Sequence, residues 1–330
     1  MDGRLGAAIK STYEPCMNNV RTGFKNDKWF SVTTGVKQGS VLSPLLFVAY
    51  IDTVVRKFKE TINITGDLMI FADDIAFWTY DREELETALL CLNDCLTEAG
   101  LKMNIEKTEI LTITKQPAVA TNITIRDKVI KDTDTFKYLG CIFTDKGDKN
   151  REEITERIKK NNKCSGALYP LMRDVYVPKD VKKAIFEGLL TPIMTYGSES
   201  WTLTSRDRSR IQASEMKSLR TIIHKTRRDR VRNVDVRERV GVAPMMNKIE
   251  KGQLRWLGHL MRMDENRIAK KRWDWTPNGR RSRGRPRKRW KDGIEEILTK
   301  HNMPTIEQLR RDGIFENRRE WKRQLIPLTG

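Results

Sequence analysis

Residues 68–78 read LMIFADDIAFW, nine apolar or aromatic side chains with two adjacent aspartates, Asp73 and Asp74, at their centre. Burying a carboxylate is costly unless hydrogen bonds or a cation compensate it. Two short apolar arms around such a pair read as a β-hairpin. Three origins for the acids stay open at this point: a solvent-facing turn, since Asp favours turns by bonding its own backbone; a bound cation, since adjacent like charges repel unless a metal compensates them; or a local accident of sequence.

Working outward, Asp81 and the acids Glu83, Glu84 and Glu86 predict the start of a helix, where the dipole favours negative charge. Its apolar stripe is Leu85, Leu89, Leu92 and Leu96, Cys95 lies within that stripe, and Gly100 ends the helix. Upstream, Ser43 as N-cap and Pro44 at the first helical position predict a helix through Leu45, Val48, Ile51 and Val55. The loop before it is pinned between Gly35 and Gly39. Residues 4–20 read as a helix ending near Asn18 and Asn19, and residues 29–35 as a short strand. Downstream, LKMNIEKTEILTI (101–113) and NITIRDKVIKDTDTFKYLGCIF (122–143) supply further strands. Strands mixed with two substantial helices make an α+β pattern.

From Arg151 the period becomes helical. Ile154 and Ile158, then Val181, Ile185, Leu189 and Ile193, then Ile211, Leu219, Ile222 and Ile223 recur as core faces of successive helices. Pro192 is expected to kink or end its helix. Leu254, Leu257 and Met261 give QLRWLGHLMRM (253–263) an apolar side.

At 330 residues, 38% of them hydrophobic, the chain is long enough for about two domains with real cores. The five cysteines form no CxxC or Cys/His pattern and are expected to be reduced, buried thiols. The longest apolar run, around LLFVAYI, is far short of the ~20 residues of a membrane span, so a nuclear or cytoplasmic protein is expected. The formal net charge of +19 is unevenly divided: residues 1–150 hold 19 Lys and Arg against 21 Asp and Glu, and residues 151–330 hold 44 against 23. In GRRSRGRPRKRW (279–290) no acid is interspersed, which points to a polyanionic partner.

Four motifs fall in a fixed order: GVKQGSVLSP (35–44), FADD (71–74), GLKMNIEKTE (100–109) and FKYLG (136–140). In that order they resemble reverse transcriptases of non-LTR, LINE-type retrotransposons. The resemblance continues through YGSESWTL (196–203), RWLGHLMRM (255–263) and GRPRKRW (284–290), which look like the thumb and C-terminal region of such elements. It implies a partial polymerase palm over residues 1–149, a helical thumb over 150–250 and a basic helical nucleic-acid-binding region over 251–330. It also implies RNA-templated DNA synthesis with two Mg²⁺ ions, acting on an RNA template and a DNA primer or duplex. By that resemblance Asp73, with Asp74 beside it, binds metal; Lys107 protonates the leaving pyrophosphate; Gln38 and Gly39 position template and nucleotide; and Tyr138, Leu139 and Gly140 form the primer grip. Arg280, Arg281, Arg283, Arg285, Arg287, Lys288 and Arg289 are the expected nucleic-acid contacts, and RGRP (283–286) resembles the core of an AT-hook.

One expectation departs from the family. Neighbouring residues on a strand face opposite ways, so Asp73 and Asp74 are not expected to serve the same metal pair squarely. The third carboxylate, which the family carries on an apolar strand upstream of GVKQG, has no counterpart here. The chain is therefore expected to be the C-terminal part of a longer reading frame, with an upstream polypeptide supplying the fingers and the first catalytic strand, and to be inactive in polymerisation by itself. The rival expectation is a non-catalytic nucleic-acid-binding protein acting through its basic, AT-hook-like C-terminal region.

Overall fold

The computed structural model describes residues 3–14, 17–23, 25–26, 28–114, 120–145, 150–275 and 288–326. The fold is α+β, in two compact units: Met1–Thr108 with Ile123–Ile130, and Glu109–Asn122 with Lys131–Gly330.

The first unit begins with α1 (Gly3–Ser11) and is built around α2 (Ser43–Thr61) and α3 (Arg82–Glu98). Ile51, Val54, Val55 and Phe58 of α2 pack on Ala88, Leu92, Cys95 and Leu96 of α3, with spacings that put each set on one helical face. Asp81 caps α3 by accepting the Glu84 N–H at 3.1 Å, and Gly100 follows at φ +68°, where the sequence predicts the helix to end. A hairpin, Leu68–Phe71 paired antiparallel with Asp74–Phe77, lies against this core through Ile70, Ile75 and Phe77.

At the base of the hairpin Gly66 passes so close to the chain that a Cβ there would lie 1.7 Å from the Trp78 carbonyl oxygen. Gly66→Ala is accordingly expected to lower the stability of the first unit by about 3 kcal/mol, the upper end of overpacking costs. A urea midpoint equal to that of the parent chain would show that Gly66 and Trp78 are not in this close contact.

Several local expectations change in the fold. The helix expected over 4–20 ends at Ser11, and Met17–Asn18 pairs instead with Phe30–Ser31, the only paired residues of the strand expected over 29–35. Pro15, which lacks an N–H and disfavours helix in the residue before it, accounts for the early stop. In α2, Leu45 and Val48 are exposed within this unit, because the face that meets the core carries Phe47, Ile51, Val54 and Phe58. Residues 101–113 contribute only Glu109–Ile110 to a ladder, parallel to Lys131–Asp132. Asn104 turns the preceding segment, its carbonyl accepting from Lys107 N at 3.1 Å and from Thr108 N at 3.0 Å. Of the described cysteines, expected to be buried, only Cys95 is fully so, while Cys91, Cys141 and Cys164 are half-buried.

In the second unit a hairpin, Thr135–Tyr138 with Cys141–Thr144, leads into helices α4 (Arg151–Ala167), α5 (Tyr169–Arg173) and α6 (Lys179–Ile185). A π-turn (Phe186–Leu190), α7 (Thr191–Thr195), α8 (Ser205–Ile222), α9 (Asn233–Val240) and α10 (Met245–Met261) follow. One core gathers Ile154, Met172, Leu190, Met194, Ile211, Leu219 and Ile249. The buried row around Pro192 is Phe186, Leu190 and Met194, one residue round from the expected face, while Val181 and Leu189 are exposed. Both rows are apolar, and the π-turn, which absorbs the missing N–H of Pro192, selects between them.

A second core joins Leu254 and Leu257 of α10 to α11 (Ile268–Asp274), α12 (Trp290–Lys300), α13 (Ile306–Arg311) and α14 (Arg318–Gln324). Buried Glu250 of α10 ties α8 to α12, accepting from Arg208 at 2.7 Å, Lys300 at 2.7 Å and His301 at 3.0 Å. Burial pushes its carboxyl up, but those hydrogen bonds outweigh burial and hold it below the ordinary range. Among the described residues no helix is long and apolar enough to cross a membrane.

Candidate functional site

In the first unit four of the five expected residues, all but Lys107, sit on two tips. The first is the loop before α2. Ser40 N–H donates to the Lys37 carbonyl at 3.3 Å, closing a turn whose third residue, Gly39, has φ +81°. That geometry requires glycine. Ser43, expected as the N-cap, instead stands inside the helix, and its hydroxyl donates to the Lys37 carbonyl at 2.5 Å. Leu42 holds the cap position with helical dihedrals and no side-chain cap. Lys37 in turn donates to the Thr12 carbonyl at 2.6 Å. Gln38 and Gly39 are thereby presented at an exposed tip.

The second tip is the turn of the aspartate hairpin. Phe71 pairs with Asp74, which leaves Ala72 and Asp73 as the two turn residues, and Ala72 has φ +52°. Asp73 is therefore not on a strand, and the expectation that strand alternation separates the two aspartates does not apply. Both carboxylates are exposed, so neither bears the cost of burial. Thr65 anchors the base of the hairpin, its hydroxyl donating to Glu84 of α3 at 2.6 Å.

Lys107 lies in the Asn104 turn with its side chain exposed. Among the described residues neither aspartate hydrogen-bonds or ion-pairs with Lys107 or Gln38, and no three acids, histidines or cysteines gather as a metal site. Two adjacent carboxylates suit a hard cation such as Mg²⁺, yet they are too few to hold two ions.

In the second unit Leu139 (φ +47°) and Gly140 (φ +81°) form the two-residue turn of the FKYLG hairpin, the conformation that glycine makes accessible at its second position. Three residues that the motif reading did not single out hold it. Tyr196 donates its hydroxyl to the Leu139 carbonyl at 2.7 Å, and a Cβ on Gly140 would meet the Tyr196 ring at 3.2 Å. Arg157 donates to the Gly140 carbonyl at 2.5 Å and stacks over Tyr196 at 4.5 Å. Glu153 accepts from Ile142 N–H at 2.9 Å and pairs with Arg157 at 2.5 Å. The i,i+4 acid–base pair at the start of α4 and the YGSESW motif were the available signals.

Burial, reinforced by the charge of Glu153, pushes the Cys141 thiol up, so it stays a neutral thiol. Arg157→Met keeps the stem but strands a 5% exposed carboxylate, and a loss of about 3 kcal/mol in unfolding free energy is expected. A change below about 0.5 kcal/mol, the range of surface substitutions, would mean that the hairpin does not depend on this pair.

Of the expected basic contacts, Arg280, Arg281, Arg283, Arg285 and Arg287 lie outside the described residues. Lys288 is committed internally, to Glu296 at 2.5 Å and the Leu203 carbonyl at 3.3 Å. The Arg289 backbone N–H donates to Asp292 at 2.7 Å at the start of α12, and its side chain is exposed.

Residues 4–143 match the family model for reverse transcriptase (RNA-dependent DNA polymerase). An uncharacterized transposon-derived protein of Caenorhabditis elegans is 24% identical over 269 residues, 78% of this chain and 94% of its own length. The Pol polyprotein of the R2 retrotransposable element of Nasonia vitripennis is 33% identical over 138 residues, 36% of this chain and 13% of that protein. The RNA-directed DNA polymerase from mobile element jockey of Drosophila funebris is 29% identical over 240 residues, 64% of this chain and 26% of that protein. The chain thus spans about a quarter or less of the length of these two retrotransposon proteins.

Proposed function

Given a chain that carries a LINE-type reverse-transcriptase domain over residues 4–143, we propose that it provides the part of an RNA-directed DNA polymerase that follows the first catalytic strand. In this reading residues 1–149 are a partial palm, 150–250 the thumb and 251–330 a basic region that grips nucleic acid. Asp73 and Asp74 are metal-binding carboxylates, Lys107 the proton donor to pyrophosphate, Gln38 and Gly39 the nucleotide-positioning turn, and Tyr138–Gly140 the primer grip. Reverse transcriptases generally use divalent metal ions. An aspartate on a segment beyond these 330 residues completes the pair of Mg²⁺ sites, and without it the chain does not polymerise.

The observation that carries this reading is the exposed Ala72–Asp73 turn within the residues that match the polymerase family. A buried aspartate pair would need internal partners, whereas a pair presented at a hairpin tip is open to a cation shared with nucleotide phosphates. Manganese serves as a paramagnetic probe. The chain is expected to bind Mn²⁺ weakly in the presence of a deoxynucleoside triphosphate, beyond the Mn²⁺ held by the nucleotide itself. Asp73→Asn with Asp74→Asn should remove that excess, and excess binding that survives the double substitution would place the metal site elsewhere.

A further inference from the structure

A cavity of about 540 Å³ opens in the second unit between α5, α8 and the segment that joins α8 to α9. Arg173, Lys217, Arg220, Lys225 and Arg227 line it, with Tyr169 at one side and no acid among its lining residues. Surface cations are ordinarily interspersed with acids, so five converging on one concavity without any leave a strong local positive potential. The cavity also faces the last turns of α8, whose dipole carries about −0.5 charge there and attracts cations. That fraction offsets a small part of five positive charges.

Two hydrogen-bond patterns show that the charges are not consumed within the protein. Arg220 is half-buried, and its Nη2 donates to the Val231 carbonyl at 3.1 Å and to the Asn233 side chain at 2.7 Å, both neutral acceptors. Its Nε is buried with no partner. A partly desolvated guanidinium flanked by neutral groups is a charge in want of an anion. Among the described residues Lys225 is the one cation of the five with a carboxylate partner, Asp229 at 3.4 Å. Asp229 is held first by Thr226, whose N–H and hydroxyl approach at 2.7 and 2.8 Å and draw its carboxyl below the ordinary range. Arg173 is steadied by donating to the Tyr169 hydroxyl, with its guanidinium 5.7 Å from the ring centre.

The geometry points to a phosphate-binding pocket for a single nucleic-acid strand at α5 and α8, separate in sequence from the arginines of residues 280–289. Three exposed cations, Arg173, Lys217 and Arg227, ring the mouth. The concavity admits a phosphate that projects from a flexible strand, which a stiff duplex backbone does not offer as readily. Arg220 fixes the wall by tying residues 231–233 to α8 and supplies background charge. The assignment deepens the nucleic-acid binding proposed above and rests on it for the class of ligand.

The test uses the full chain with alanine at Arg280, Arg281, Arg283, Arg285, Arg287 and Arg289, so that the pocket is read without the tail. A labelled single-stranded oligonucleotide is titrated by fluorescence anisotropy across a salt series. Arg173→Gln, Lys217→Gln and Arg227→Gln together are expected to weaken binding at least tenfold. They should also make the log–log salt slope shallower by about 2, at ~0.7 per phosphate on single strands. Arg173→Lys with Arg227→Lys, which keeps the charge, should bind as the parent does. If the triple variant fails to fold, Lys217→Gln alone carries the test with an expected loss of about threefold.

Affinity within twofold of the parent in the glutamine variant overturns the pocket, as does absence of any binding by the tail-neutralised parent. Displacement of the oligonucleotide by equimolar ATP reassigns the site to free nucleotides and overturns the strand assignment. Failure of the proposed tail is a different result: the six alanines would leave binding by the otherwise unaltered chain unchanged.

Discussion

Alanine at Arg280, Arg281, Arg283, Arg285, Arg287 and Arg289 together is expected to weaken binding of duplex DNA about 10³-fold at 0.1–0.2 M salt and to flatten its salt dependence. Residues 267–291 hold twelve Lys and Arg against one acid, Asp274. Each phosphate neutralised releases condensed counterions and contributes about −0.9 to the slope of log affinity against log salt, so six cations in contact account for a slope change near 5. Lys288 is left out of the set because Glu296 already holds its ammonium. The slope is the discriminating quantity, since a folding defect lowers the active fraction without altering it. An unchanged slope would move duplex binding away from these residues. The RGRP segment adds a finer comparison: equal affinity for A·T-rich and G·C-rich duplexes is expected of a general phosphate binder, and a strong A·T preference dependent on Arg283 and Arg285 would mark a minor-groove reader instead.

How far the sequence reaches differs between elements, for physical reasons. The α3 helix was legible end to end because its acidic start, apolar stripe and terminal glycine all agree, and such agreement across levels is what specifies an element. The aspartate hairpin was legible as a hairpin, since two apolar arms flank a polar centre. The position of Asp73 within the turn depended on register, which pairs Phe71 with Asp74 and which composition does not set. Periodicity misplaced the helical face before Pro192 because two adjacent apolar rows compete there and a π-turn decides between them. Leu45 and Val48 belong to the α2 stripe by spacing, yet the face that meets the core carries Phe47, Ile51, Val54 and Phe58 and leaves them outside it.

The candidate site divides in the same way. Gln38, Gly39, Asp73, Asp74, Lys107 and Tyr138–Gly140 were found by motif order, and a motif marks residues by position whatever holds them. The holders are tertiary. Glu153, Arg157 and Tyr196 converge on the Leu139–Gly140 turn from α4 and from the chain after α7. Gly66 owes its identity to the approach of the Trp78 backbone 12 residues later. Neither relation has a signature in local sequence, because both arise from sites brought together by the fold.

Primer extension on an RNA template with Mg²⁺ tests most directly the claim that Asp73 and Asp74 are half of a two-metal polymerase centre. Two ions about 3.5–4 Å apart activate the primer hydroxyl and steady the leaving pyrophosphate, and two carboxylates at one hairpin tip do not supply ligands for both. Losing one such electrostatic element typically costs about 3–4 kcal/mol of barrier, or 10²–10³ in rate. The 330-residue chain alone is expected to give no extension. Fusion to a reverse-transcriptase segment that bears an aspartate on an apolar strand should restore it, and Asp73→Asn should then reduce it at least 10²-fold. Template-dependent extension by the unaided chain, abolished by Asp73→Asn, would contradict the half-centre and place the missing carboxylate within these residues, with Asp2 and Glu14 the first to replace.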